Sequence, residues 1–215
     1  MQPLSSRIKK GKSPFKRPLT ENTYRKAKPF LKLEFGGRCC YSMLHCDVAG
    51  GDKAMDVEHF KPKKFPKAHS YRNLLYCSRH CNSSKGSTWP SKKERNAGFR
   101  FINPCEEIDY GVHIFEHIDT GILVAVSNAG SYQIEKCGLN APFLIKARKQ
   151  RTKIKKILAV INVERDIAAL SKFGISANEN LNTLESTLKN LLDKEIPDIP
   201  PLPPQYEYLL EDFLP

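Results

Sequence analysis

Polar and apolar positions alternate in short runs through the first half of the chain and recur at helical spacing through the second. The stretch "AMDVEHF" (54–60) has strand length, and Pro62 and Pro66 end it. "YRNLLYC" (71–77) reads as a second short strand, and "CNSSKGSTW" from Cys81 opens a helix, with Asn and Ser where free backbone N–H groups need caps. Further on, "GFRFINP" and "YGVHIFEHIDTGILVAV" read as strands, with Asp119-Thr120-Gly121 as a hairpin turn. From Ala141 the spacing of Leu144, Ile145, Ile154, Ile157, Leu158 and Ile161 predicts an amphipathic helix. Its polar face would carry Lys146, Arg148, Lys149, Arg151, Lys153, Lys155 and Lys156. A second helical stripe joins Leu181, Leu184, Leu188, Leu191 and Leu192. Near the start, "TENTYRKAKPFLKLEF" offers a Thr20 cap and helical spacing, with Pro29 marking a break or a late start. Residues 1–19 read as an arm without regular structure.

This pattern implies a small α+β fold. The expected organisation is a basic arm and helix start over 1–30, a core over 31–100, an accessory β-hairpin and helical region over 101–195, and a Pro-rich acidic tail over 196–215. A chain of 215 residues buries one good core, and its 40% hydrophobic content suffices for one. The formal charge of +12 favours polyanionic partners, nucleic acid before an anionic membrane. The charge is lopsided: residues 1–33 are strongly basic, and "IPDIPPLPPQYEYLLEDFLP" is acidic. No apolar run is long enough to span a bilayer, and the first residues lack the apolar stretch of a secretory signal, so a cytoplasmic address is expected. There the seven cysteines stay reduced, and metal ligation outranks disulfides for those that cluster.

Two motifs mislead. "GKS" at 11–13 resembles the end of a phosphate-cradling loop, but Ser6 stands where that loop needs a glycine. "HIFEH" (113–117) has the spacing of a zinc-protease helix, yet its period-two, β-branched context makes it a strand. The run "DVEHFKPKKFPKAHSYRNLLYCSRHCNSSKG" carries more. A strand–loop–strand–helix unit brings the end of its first strand against the start of its helix. Glu58 and Asn82 are then candidate oxygen ligands for one hard cation, with Mg²⁺ the favoured ion, while His59 faces a water as general base.

This run resembles the HNH, or ββα-metal, nuclease motif. "DVEH" is similar to that family's acid–histidine pair, Asn73 to its central asparagine and Asn82 to its third position. The resemblance implies His59 as general base and Glu58 as metal ligand. It also implies that Asn73 braces the loop, so that its backbone carbonyl orients His59. Asn82 stands in place of the commoner histidine, which suits Mg²⁺ and leaves the identity of the catalytic cation open. The segments "EHFKPK", "INPCEE", "DTGILVA" and "GLNAPFLIKAR" further resemble PtuB-like HNH proteins of Septu-type and retron-associated anti-phage systems, over roughly residues 30–160. That likeness implies a bacterial nuclease held by an ABC-type ATPase partner. The expected core is thus a ββα-metal unit with an N-terminal helix, an added hairpin and C-terminal amphipathic helices.

Many HNH proteins hold a structural zinc in two C-x-x-C knuckles, and this chain departs from both. A shifted set of Cys39 (or Cys40), Cys46, Cys77 and Cys81 would still close a tetrahedral Zn²⁺ site; free thiols packed as small hydrophobes are the alternative. Lys61, Lys63, Lys64 and Lys67, with Lys85 a helical turn from Asn82, are candidate phosphate contacts. The leading expectation is a metal-dependent endonuclease cutting DNA or tRNA as a defence effector. The competing one is a non-catalytic, zinc-stapled nucleic-acid-binding adaptor. The tail, with Tyr206, Tyr208, Leu209, Leu210, Phe213 and Leu214, is expected to dock on another protein or to fold back on this chain.

Overall fold

The computed structural model describes residues 8–170 and 177–210. It is an α+β protein with two small antiparallel sheets. A 3₁₀ turn at Tyr24–Ala27 leads into α1 (Lys28–Glu34), and Pro29 sits in the first turn of that helix, where its missing N–H costs nothing. The cysteine segment turns through a short α2 (Cys46–Ala49) and reaches β1 (Met55–His59). A loop then returns the chain as β2 (Leu74–Ser78), paired antiparallel with His59 opposite Leu74 and Glu58 opposite Leu75. The helix that follows, α3 (Arg79–Lys85), starts before Cys81: its N-cap is Ser78, whose side chain accepts from Cys81 N, and Asn82 lies inside it. Residues 99–104, expected as a strand, form no regular element.

After α4 (Lys92–Asn96), β3 (Ile114–His117) and β4 (Ile122–Ala125) make the expected hairpin, with Gly121 at a φ of 71° in its turn. His113 bonds Ser127 and Glu107, and His117 bonds Thr120, so the "HIFEH" histidines serve the strand and its neighbours. α5 (Asn128–Lys136) crosses β4. Two long helices, α6 (Pro142–Leu170) and α7 (Ala177–Leu192), pack against each other.

One buried cluster runs from Tyr24 and Leu31 through Tyr41, Leu74, Tyr76, Ile114 and Leu123 to Ile196 and Ile199. α6 departs from its amphipathic pattern. Arg148 and Arg151, expected in solvent, are buried. Arg148 donates to the carbonyls of Gly121 and Leu139, while Arg151 pairs with buried Glu116 at 2.6 Å and donates to Pro197 O. Ile157, Val160 and Val163 are instead exposed. Arg148 thus anchors α6 to the turn of the second hairpin and to the residues before the helix, and Arg151 anchors the segment that returns after α7. Pro200 O accepts from Glu116 N, and Leu202 N donates to Glu116 O, adding an edge to β3. The described part of the tail, through Leu210, therefore folds back on this chain; Phe213 and Leu214 lie outside the described residues, as does Arg7 of the basic arm. No described helix is long and apolar enough to cross a membrane.

Candidate functional site

Alternation along β1 decides what its end presents. Asp56 and Glu58 point to the face covered by α3, while Val57 and His59 point away. On α3, Asn82 and Lys85 are three residues apart and so share a face. The two faces meet in register: Asn82 Nδ2 donates to Asp56 Oδ2 at 3.2 Å, and Lys85 Nζ lies 2.5 Å from Glu58 Oε1. Lys85 also donates to His59 O at 3.1 Å and sits 5.0 Å from the centre of the Phe101 ring.

Both members of the Glu58–Lys85 pair are buried, at 3% and 0% exposure. Desolvation pushes the Glu58 carboxyl up to about 7 despite the opposing pull of Lys85. This arrangement corrects two expectations. Glu58 and Asn82 do not meet on a common partner, because Lys85, one turn further along α3, fills the place opposite Glu58. Lys85 itself is no phosphate contact, since it has no solvent-facing surface.

His59 lies on the other side, 7% exposed. Its ring packs edge-on against Tyr24 at 4.7 Å, and its Nε2 lies 3.0 Å from Nδ1 of His69. His69 stacks on the same tyrosine at 5.5 Å, and its Nε2 lies 3.2 Å from Glu21 Oε2. Glu21 is also paired with Lys63, whose ammonium sits over the Tyr24 ring. Burial, then the nearby His69 and Lys63, pull His59 down to about 4, so its imidazole is neutral at ordinary pH.

The loop between the strands is built by Asn73. Its Oδ1 accepts from Lys61 N at 2.8 Å, and its Nδ2 donates to Lys61 O and Ala68 O at 2.9 and 2.7 Å. Asn73 thus braces the loop from both ends. Its backbone carbonyl accepts from Phe60 N at 2.9 Å, and the side-chain partner found at the His59 ring is His69. Lys61, Lys63, Lys64 and Lys67 project from this loop into solvent, although Lys63 is engaged by Glu21.

The thiols gather on the inner side of β2. Ligand atoms of Cys39, Cys40 and Cys77 lie within 4.8 Å of one another, and the Cys39–Cys77 sulfur separation is 3.8 Å. That matches the edge of a tetrahedron built from metal–sulfur bonds of about 2.3 Å. The Cys81 thiol interacts with those of Cys39 and Cys77. Burial opposes ionisation of Cys39, but hydrogen bonds from Cys40, Cys77, Cys81 and Ser42 overcome it and hold that thiol well below its usual range. This cluster could hold a metal ion.

Cys46 belongs elsewhere. It opens α2, its sulfur is 3.6 Å from Asp47 Oδ1, and with His45 and Asp47 it forms a second group able to hold a metal ion. Cys40 joins Cys39 and Cys77 where Cys46 was expected, since Cys46 opens α2 beside His45 and Asp47. Sequence reasoning offered Cys40 only as an alternative to Cys39, and missed Asp56 as the partner of Asn82 and His69 with Glu21 as partners of His59. His69 stood in the quoted motif without an assigned role, and Glu21 lies outside it. Neither a protein-family model nor a curated protein matches this chain.

Proposed function

We propose that the chain is an HNH-type endonuclease that hydrolyses phosphodiester bonds of DNA or tRNA, as the effector of an anti-phage complex with an ABC-type ATPase. The observation that carries this reading is a neutral imidazole, His59, at the end of the first strand of a β1–β2–α3 unit, beside a loop of exposed lysines. Asn73 clamps that loop as the HNH resemblance implies for its central asparagine.

His59 takes a proton from the attacking water while the new oxygen–phosphorus bond forms and the bond to the leaving oxygen breaks. Lys61, Lys64 and Lys67 hold the backbone phosphates, giving salt-dependent binding with little sequence preference. The Cys39–Cys40–Cys77–Cys81 cluster, with its 3.8 Å sulfur spacing, suits a structural Zn²⁺ that ties the segment before β1 to the start of α3.

A catalytic Mg²⁺ held by Glu58 and Asn82 does not fit the side chains as they stand, since Glu58 is committed to Lys85 in the interior. No step is therefore assigned to it. The same ion pair favours a second reading, a zinc-stapled adaptor that binds nucleic acid without cutting it. The two separate on one substitution. With labelled DNA and total tRNA in Mg²⁺, and with the ATPase present, His59→Ala is expected to lower cleavage by roughly 10² to 10⁴ while binding stays near normal. Equal cleavage by both proteins would remove His59 as the base, and none by the wild type beside tight binding would leave the adaptor standing.

A further inference from the structure

Imidazole can act as a base through either ring nitrogen, and which one is bare depends on the hydrogen bond made by the other. Here that choice can be followed atom by atom. With His69 neutral, the negative charge of Glu21, whose Oε2 lies 3.2 Å from His69 Nε2, favours the proton of His69 on Nε2. His69 Nδ1 is then an acceptor. It lies 3.0 Å from His59 Nε2, which must therefore carry the proton of His59. The bare nitrogen of His59 is Nδ1.

We propose that His69 and Glu21 are positioning residues that fix His59 in the tautomer protonated at Nε2, leaving Nδ1 as its basic nitrogen. Tyr24 holds the relay in shape, touching His59 edge-on and lying against the face of His69. The role expected for the Asn73 carbonyl falls to His69, since that carbonyl accepts from Phe60 N. The kinetic part of the inference rests on His59 acting as the base, the reading proposed above.

The reaction balances around this relay. A water O–H bond breaks and Nδ1–H forms, the water oxygen bonds phosphorus, and the electron pair of the breaking bond leaves with the departing oxygen. The imidazolium so formed still donates Nε2–H to His69, whose Nε2 lies beside the negative Glu21. This is the orienting and charge-stabilising work of the third group in a triad, extended by one ring.

The first test reads the tautomer directly, without cleavage. In the full chain with ¹⁵N-labelled histidine, the ring-nitrogen spectrum of His59 is expected to show a protonated Nε2 and a bare Nδ1. Glu21→Ala and His69→Phe are expected to move it to a mixture of tautomers. Glu21→Gln, which keeps an acceptor oxygen, retains the wild-type pattern. Glu21 is solvent-exposed, so its variants fold even where His69→Phe does not. The second test is kinetic: His69→Phe and Glu21→Ala lower kcat about 10- to 100-fold with little change in KM. A wild-type His59 protonated at Nδ1, or ring signals unmoved by both variants, overturns the proposal whether or not the protein cuts nucleic acid. A correct tautomer with no cleavage overturns the nuclease reading alone.

Discussion

Replacing Lys85 by Met would strip a buried carboxylate of its only ion-pair partner among the described residues and leave nearly the same volume in place. Lys85 Nζ is 2.5 Å from Glu58 Oε1 and 3.1 Å from His59 O, with no exposed surface on the lysine. At an effective dielectric near 20, the Coulomb attraction at that distance is about 7 kcal/mol, most of it offset by desolvation of the two charges. Removing one partner exposes that imbalance, so Lys85→Met is expected to cost about 3–5 kcal/mol at pH 8, where Glu58 is ionised. Because Glu58 titrates at about 7, the cost shrinks as the pH is lowered to 5 and the carboxyl takes up a proton in both proteins. The double variant Glu58→Leu/Lys85→Met replaces the pair with apolar groups and should recover most of the loss. Urea unfolding of the four proteins of the cycle, at pH 5 and pH 8, measures each quantity. A Lys85→Met cost under about 1 kcal/mol at pH 8, or a double variant no better than the single one, would refute the assignment of Glu58 to an internal ion pair. It would also return that carboxylate to the pool of candidate cation ligands.

Three more outcomes can be checked. His59 is lowered from 6.5 to about 4, so between those values the unfolded chain binds more protons than the native one; stability present above pH 6.5 is lost on acidification towards pH 4. Glu58 acts in the opposite sense over nearly the same window, so the effect is read as wild type minus His59→Asn, and is about 1–2 kcal/mol after discounting for partial solvation. An unchanged difference from pH 7 to pH 4 would remove the burial argument. Gly130→Ala would set a Cβ 2.3 Å from His113 O, so about 1–3 kcal/mol of overpacking is expected by thermal or urea unfolding, and a neutral result would show that α5 and β3 are less closely apposed. Protein purified under reducing conditions is expected to carry about one equivalent of zinc by elemental analysis, to lose it in Cys77→Ser, and to keep it in Cys46→Ser. The reverse order would favour the His45–Cys46–Asp47 group.

The local elements were legible because their causes are local. Strand-length alternation before Pro62 gives β1, the Asp119-Thr120-Gly121 turn gives the second hairpin, and apolar recurrence gives α6 and α7. Helix starts were read less well: α3 begins at the Ser78 cap, earlier than the Asn82 signal suggested, since several polar residues there are capable caps. The polar face drawn for α6 failed at Arg148 and Arg151, because periodicity reports a helix's own faces and says nothing of the other segments, here the hairpin turn at Gly121 and the chain at Pro197, that pack on one. The Glu58–His59 pair, the asparagine brace and a convergence of thiols could likewise be anticipated from order along the chain.

What each of these side chains faces was decided only by packing. Alternation sends Glu58 and His59 to opposite sides of β1, but that Lys85 waits on one side and His69 with Glu21 on the other depends on how α3 and the N-terminal segment close over the strand. Likewise Cys40 joins Cys39 and Cys77 while Cys46 is carried off by α2. Short-range order is set by steric and hydrogen-bonding rules within a few residues. The partner of a buried charge or a ring nitrogen is set by contacts between segments far apart in the chain, and those exist only once the core has formed.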